Sequence, residues 1–473
     1  MGDHGISTMN QMTNTFRTTL CVWLGCLTWL NTQTLSAHAD KPNVIVILTD
    51  DQGWGDLSVH GNTNISTPNI DRLASQGMAL DRFYVCPICS PTRAEFMTGR
   101  YNPRTGVKSA SRGEERMDLD ETTIFEDFKS AGYHTAAFGK WHNGMQPPYH
   151  PNARGIDEYY GFCSGHWGDY YSPMLEHNGQ IVTGDGFVID DFTNRAMDYI
   201  EDHKEESFFV YLPYCTPHSP MQVPDQWWKK FENHNLPLRA RKDQPETVSH
   251  ARAALAMCEN IDWNVGRLMK KLDDLKIAEN TIVIYFSDNG PNGYRWNADM
   301  KGKKGAVDEG GVRSPFFIRW PERIKAGGKT DTIAGSIDLK PTLLDLAGIT
   351  DTGALAMDGV SLKPLLFDDA KNWPDRLYIN HFKGKTSVRS PRFRLGYKGG
   401  LYDIQNEPGQ RTDVRDKFPQ VYAELTAAGE KFDKEVVSEL PNGQDERPFT
   451  VGHPNLAFTQ LPARDAIATG KIQ

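Results

Sequence analysis

Two apolar runs in this 473-residue chain end in acidic residues. Val44 to Leu48 leads into Thr49-Asp50-Asp51, and Thr281 to Phe286 leads into Ser287-Asp288-Asn289-Gly290. Three carboxylates and one amide oxygen make an all-oxygen set suited to a hard cation such as calcium or magnesium. An Asp pair after a strand is also a common turn or helix cap, so spacing alone leaves both readings open. A second group runs Cys86-Pro87-Ile88-Cys89-Ser90-Pro91-Thr92-Arg93. Ser90 before Pro91 reads as the start of a helix that Gly99 closes. Cys89 then stands at a helix N-terminus, where free amides and the macrodipole favour an anion and lower a thiol pKa, with Arg93 one turn on. The Cys86-x-x-Cys89 spacing also fits a redox or metal pair. A zinc site, however, would need a second such pair or a suitable histidine, and a thioredoxin-like motif would not need Pro91 and Arg93.

Such groups must be held by strands and helices. Val44–Leu48, Phe208–Leu212, Thr281–Phe286 and Phe316–Ile318 are near-continuous β-branched and aromatic runs, the pattern of a mainly parallel sheet covered on both faces. Thr67-Pro68 opens a helix that Gly77 can close, with Ile70, Leu73 and Ala74 on one face. Leu255, Ile261, Val265, Leu268, Leu272 and Leu275 imply a longer helix. This alternation predicts an α/β sandwich, whose ligands sit beyond the carboxyl ends of the strands; both acidic groups fall there. After about Leu366 the texture shifts to short pieces, Leu377–Ile379, Ser387–Arg389, Phe393–Leu395 and Leu401-Tyr402, which predict a small antiparallel sheet. A final helix is expected from Pro419 to about Val437.

With 38% hydrophobic and 24% charged residues the chain reads as an ordinary globular protein. Its net charge of −9 argues against general binding to nucleic acid or anionic membranes, so any anionic substrate must meet a local basic cluster. At the N-terminus Arg17 precedes the apolar run Leu20–Leu30, and Ser36-Ala37-His38-Ala39 follows. That is the pattern of a signal peptide over residues 1–39, too short to span a bilayer, with the mature chain starting near Asp40. A lipoprotein signal ending at Cys26 is the competing reading, matched poorly by Trp23-Leu24-Gly25. Export to the periplasm or beyond is therefore expected, with no stable membrane association. Loss of Cys21 and Cys26 leaves Cys86, Cys89, Cys163, Cys215 and Cys258, an odd number in an oxidising compartment. At least one should do something other than pair, and spacing does not say which would pair.

Cys89-x-Pro91-x-Arg93 resembles the signature of the type I, formylglycine-dependent sulfatases of the alkaline phosphatase superfamily, which include bacterial polysaccharide sulfatases and arylsulfatases. Its companions follow in the family's order: Gly139-Lys140-Trp141-His142, Thr216-Pro217-His218, and the segment Lys304 to Arg313. The likeness runs from about Asn43 to the final helix. It implies an alkaline-phosphatase-like fold, with a catalytic domain over 40–366 and a smaller subdomain over 367–473. It implies that a separate formylglycine-generating enzyme oxidises Cys89, the only cysteine in register. It implies one calcium ion held by Asp50, Asp51, Asp288, Asn289 and the modified residue 89. The hydrated aldehyde is a geminal diol: one hydroxyl attacks sulfur, and the other, once deprotonated, lets the intermediate collapse and expel sulfate. The resemblance makes His142 the base for that collapse and places His218 and Lys304 near the leaving oxygen. Arg93, Lys140 and Lys304 would balance the sulfuryl charge.

A phosphonate or phosphate ester hydrolase of the same superfamily, and a non-catalytic carbohydrate-binding protein, are the rival readings. The all-oxygen metal positions disfavour a two-zinc phosphatase, and the intact catalytic set disfavours a decayed site. The expected substrate is a sulfated carbohydrate from an extracellular polysaccharide. Lys301, Lys303 and Lys304 would meet its charge, and the aromatic stretches Gly161–Tyr171, with Trp167 foremost, and Tyr294–Trp296 would lie against its sugar rings.

Overall fold

The computed structural model describes residues 1–2, 41–367, 373, 375–440, 443, 445–463 and 466. The expected signal peptide, apart from its first two residues, lies outside these. Ten strands form the main sheet. From one edge their order is Gly328–Thr330, Met78–Leu80, Phe316–Arg319, Thr281–Ser287, Asn43–Thr49, Phe208–Pro213, His134–Lys140, Glu158–Phe162, Met174–His177 and Gln180–Thr183. The five central strands, from Thr281–Ser287 to Glu158–Phe162, are mutually parallel. The strand at Phe316 runs antiparallel to Thr281–Ser287, and the last two strands form an antiparallel hairpin.

Alternation along Asn43–Thr49 explains the layering. Val44, Val46 and Leu48 join one apolar cluster while Ile45 and Ile47 join another, so both faces are dry. The first cluster takes Ala94, Phe96 and Met97 from the helix Cys89–Thr98, and Leu339, Leu343, Leu344 and Leu346 from Leu339–Ala347. The second takes Ile70, Leu73 and Ala74 from Pro68–Ser75, and Ile261, Val265, Leu268 and Leu272 from Val248–Asp274. Each such aliphatic side chain contributes about 1.5–3 kcal/mol when fully buried.

Two local readings shift. Ser90 does not cap its helix: the helix starts at Cys89, Ile88 takes the cap position without a side-chain bond, and Ser90 Oγ donates to Glu115 O at 3.4 Å. Gly99 ends it as expected, at φ +73° where a side chain would be strained. The long helix stops at Asp274, leaving Leu275 at its C-cap.

The small antiparallel sheet contains Tyr378–Phe382, Lys385–Arg389, Phe393–Leu395 and Leu401–Asp403 in that order. The final helix, Pro419–Glu435, covers it through Leu425, which packs with Val388, Phe393, Leu395 and Leu401. Residues 43–473 form one compact unit. The five cysteines of the described chain are all buried and unpaired. No helix among the described residues is long and apolar enough to cross a membrane.

Candidate active site

The strands Asn43–Thr49 and Thr281–Ser287 run side by side in parallel, with Thr49 opposite Ser287 at their carboxyl ends. The next residues of each therefore emerge together. Asp51 N donates to Asp288 Oδ1 at 3.2 Å, and Asn289 Nδ2 donates to Asp51 Oδ1 at 2.8 Å. Asp50, Asp51, Asp288 and Asn289 are all buried. Cys89 enters from the first residue of its helix, and its sulfur and a carboxylate oxygen of each of Asp50 and Asp288 lie within 4.8 Å of one another.

Three cations surround this cage. Arg93 donates to Asp288 Oδ2 from Nε at 3.2 Å and from Nη2 at 2.8 Å, and from Nη1 to Lys140 O at 2.7 Å. Lys140 Nζ lies 2.6 Å from Asp50 Oδ2, and Lys304 Nζ lies 2.6 Å from Asp51 Oδ1. One oxygen of each of these carboxylates is thus neutralised by a protein cation. The remaining oxygens differ: Asp50 Oδ1, Asp51 Oδ2 and Asn289 Oδ1 are buried and take no hydrogen bond. Orphaned buried acceptors are costly unless a ligand serves them, and these three are hard oxygens of the kind calcium or magnesium takes. The residues present fit such an ion.

Titration behaviour agrees. Burial alone would raise the Asp50 carboxyl, but Lys140, His218, Lys304 and Arg93 outweigh it and hold the group far below the usual carboxylate range. Asp288 is pushed well above that range by burial and then by the charge of Asp50, against Arg93. A divalent cation among these oxygens would relieve that repulsion. Burial would lower Lys304, yet Asp51 foremost keeps it charged. With a divalent ion holding Asp288 ionised, the three carboxylates are matched by buried Arg93 and Lys140 and half-buried Lys304, so the ion's own charge leaves the pocket positive and ready for an anion.

Both predicted histidines reach the site. His142 Nε2 lies 2.9 Å from Ala110 O, which fixes the proton on Nε2 and leaves Nδ1 buried without a partner. Burial, then Lys140, pushes the imidazole well below its usual pKa, so it is a neutral base. His142 adopts φ +65°, and a Cβ on Gly165 would lie 1.9 Å from its Nε2, so only glycine fits there. His218 Nδ1 lies 2.6 Å from Ser219 O, and its Nε2 lies 3.7 Å from Asp51 Oδ2. All the expected catalytic and metal positions therefore converge: Cys89, Arg93, Lys140, His142, His218 and Lys304 with Asp50, Asp51, Asp288 and Asn289. Lys303 lies over the Tyr294 ring at 4.9 Å, while Lys301 lies 3.6 Å from Asp308 Oδ1.

Several residues of the two stretches serve as supports. Trp167 stacks on Phe162 at 5.2 Å and packs on the core. Tyr170 is buried, with its hydroxyl 3.0, 3.2 and 3.1 Å from the carbonyls of Cys215, His218 and Ser219. It moors the segment that carries His218. Arg295 is also internal, forking onto Asp56 and donating to Asp51 O at 3.0 Å. Thr92 was not foreseen: its Oγ1 donates to Asp288 O at 2.5 Å and accepts from Cys86 N at 2.9 Å, tying the cysteine loop to the acidic strand end. Its place inside the cysteine motif was the available signal.

The segment behind Lys304 is gripped by the small sheet. Arg389 donates to Glu309 Oε2 at 3.2 Å and to Val307 O at 3.1 Å, and Arg394 donates to Val307 O at 2.6 Å. Asn380 Nδ2 donates to Val85 O at 2.9 Å, beside the cysteine loop.

A family model described as Sulfatase matches residues 42–349, and one described as N-sulphoglucosamine sulphohydrolase, C-terminal, matches residues 303–428. The mouse N-acetylgalactosamine-6-sulfatase is 32% identical over 423 residues, covering 81% of this chain and 77% of that protein. The dog protein of the same name is 31% identical, covering 69% of this chain and 66% of its own length. The crystal structure of Ps i-CgsB in complex with k-i-k-neocarrahexaose superposes with a TM-score of 0.75 at 28% identity, covering 86% of this chain and 95% of that one.

Proposed function

The chain belongs to the sulfatase family, and from that premise we propose that it removes sulfate from a sulfated carbohydrate with Cys89 matured to formylglycine. It is a sulfuric ester hydrolase. The observation that carries the reading is the set of three orphaned oxygens beside Cys89, ringed by Arg93, Lys140 and Lys304. Asp50, Asp51, Asp288, Asn289 and residue 89 would hold a calcium ion, which supplies Lewis-acid charge for the sulfuryl oxygens. Formylglycine supplies, as its hydrate, one hydroxyl to attack sulfur and another to release it.

The chain's own side chains do the rest. Lys140, Lys304 and Arg93 offset negative charge at a site walled by buried side chains, where such charges count most. Nδ1 of neutral His142, held by the Nε2–H bond to Ala110, takes the proton whose removal lets sulfate depart. His218, with Nδ1 tied to Ser219 O, presents Nε2 to deliver a proton to the departing sugar oxygen. The carbohydrate assignment draws on a relative named N-acetylgalactosamine-6-sulfatase and on a similar structure in complex with k-i-k-neocarrahexaose. We read residues 40–366 as the catalytic part and 367–473 as the subdomain that braces the Lys304 segment. Export is part of the same proposal, since extracellular polysaccharide must be met outside the cytoplasm.

The test is turnover with elemental analysis. Protein co-produced with a formylglycine-generating enzyme should hydrolyse a small aryl sulfate and sulfated oligosaccharides, carry one calcium per chain, and lose activity on chelation. Two zinc ions per chain, or faster hydrolysis of a matched phosphate or phosphonate ester, would overturn the reading.

A further inference from the structure

A cleft of about 860 Å³ opens beside the site, lined by Tyr171, Gln222, Asp225, Trp228, Ser249 and His250 among others. One wall is the segment that follows His218. Ser219 Oγ lies 3.8 Å from Met221 Sδ, and Gln222 Oε1 accepts from Tyr170 N at 2.7 Å, so this wall is fixed by the residue that also moors His218. The other wall is the start of the helix Val248–Asp274. His250 there stands within electrostatic reach of Asp51 and Lys303, and a Cβ on Gly293 would come 3.0 Å from its ring. The cleft thus borders the segment that carries His218 on one side and, through His250, faces the charge of Asp51 on the other.

Its aromatic residues are only partly taken up by packing, Tyr171 lying 5.3 Å from the Phe187 ring. Trp228 is half-buried, and among the described residues it stacks on no other ring and joins no core cluster. Its neighbour Trp227 does both, packing beside Trp263 and the Phe231 cluster. Tyr171 is 43% exposed. An exposed tyrosine and an uncommitted indole, set among the polar groups of Gln222, Asp225, Ser249 and His250, suit the apolar face and hydroxyl rim of a sugar ring. A fixed site a few residues from His218 selects as occupant a part of the substrate itself.

We propose that this cleft binds the sugar residue adjoining the sulfated one, so that the enzyme acts on chains in preference to sulfated monosaccharides. The inference rests on the sulfated-carbohydrate reading above. It also moves sugar recognition from Trp167, which the core employs, to Trp228 and Tyr171.

The experiment measures kcat/KM of the matured enzyme on a small aryl sulfate, N-acetylgalactosamine 6-sulfate, a chondroitin 6-sulfate tetrasaccharide and a carrageenan hexasaccharide. The wild-type enzyme should favour an oligosaccharide over the monosaccharide by about tenfold or more, because the added sugar contributes binding in the transition state. In Trp228→Ala and Tyr171→Ala the ratio of oligosaccharide to aryl sulfate turnover should fall about tenfold. Should Trp228→Ala fail to fold, Tyr171→Ala carries the test, since its ring is largely outside the core. An unchanged ratio in both variants, or equal rates on monosaccharide and oligosaccharide, would overturn the cleft assignment while aryl sulfate turnover still upheld the sulfatase reading. Turnover of aryl sulfate but of no sulfated sugar would overturn both the carbohydrate reading and this inference.

Discussion

Arg93 grips a single oxygen of Asp288 through both Nε and Nη2, at 3.2 and 2.8 Å, with both side chains fully buried. Replacing Asp288 by Ala should therefore do two things at once. It removes an oxygen of the cation cage and strands a buried guanidinium, which costs about 3–5 kcal/mol of stability. Turnover should fall by about a thousandfold or more, with far-UV circular dichroism retained and a lower melting temperature. Calcium content and turnover both unchanged in the variant would show that Asp288 is not part of the cage.

Cys89, not Cys86, should be the modified residue. Cys86 is turned away, its sulfur 3.5 Å from Asn102 Oδ1, and burial followed by Glu95 pushes its thiol well above the usual pKa. Peptide mass spectrometry should find formylglycine at position 89 and unaltered cysteine at 86. An active preparation with cysteine intact at 89 would sink the mechanism.

Glu95 gives a pH dependence. Burial raises its carboxyl from about 4.5 to about 7, although Ser336 Oγ and Asn102 N both donate to it. Between these values the folded protein holds a proton that the unfolded chain releases, so stability falls as pH rises from about 4.5 through 7 and then levels off. Glu95→Gln removes that penalty. The melting temperature of the variant relative to wild type should be higher at pH 8 than at pH 5, and a pH-independent difference would contradict the assignment.

Tyr170→Phe should loosen the His218 segment by deleting the hydroxyl that faces three carbonyls. A lost hydrogen bond of this kind is worth about 0.5–1.5 kcal/mol, so kcat on an aryl sulfate should drop several-fold, up to about tenfold. A full-rate Tyr170→Phe enzyme would mean that the loop is held by other contacts.

The strands that end in Asp50 and Asp288 were legible because their five consecutive apolar residues allow little else, and their parallel direction followed from burial on both faces. His134–Lys140 and Glu158–Phe162 were not picked out, since Ala136, Ala137, Gly139 and Gly161 dilute the β signal. Those positions need small residues: a Cβ on Gly139 would lie 2.0 Å from Pro213 O, and one on Gly161 equally close to Gly139 O. The acidic residues fell at strand ends and Cys89 at a helix start by pattern alone, whereas Lys140, His142, His218 and Lys304 were reached only through the resemblance to the sulfatase motifs. Which residues of the stretch Gly161–Tyr171 face a sugar was not legible, because an aromatic side chain in a loop looks the same in sequence whether it faces a ligand, as Tyr171 does in our reading, or the core, as Tyr170 does.

The burial of Cys89 sets a schedule for biosynthesis. The cysteine heads a helix whose ten residues are all inaccessible, and the loop before it is fastened by Asn380 while the Lys304 segment is fastened by Arg389 and Arg394. These fasteners emerge from the ribosome some three hundred residues after the cysteine. Throughout that interval the loop lacks its last anchors, and on the proposed reading a maturing enzyme would have its window to reach the thiol. Formation of the small sheet would close that window, so the order of the chain would let the proposed maturation run ahead of folding.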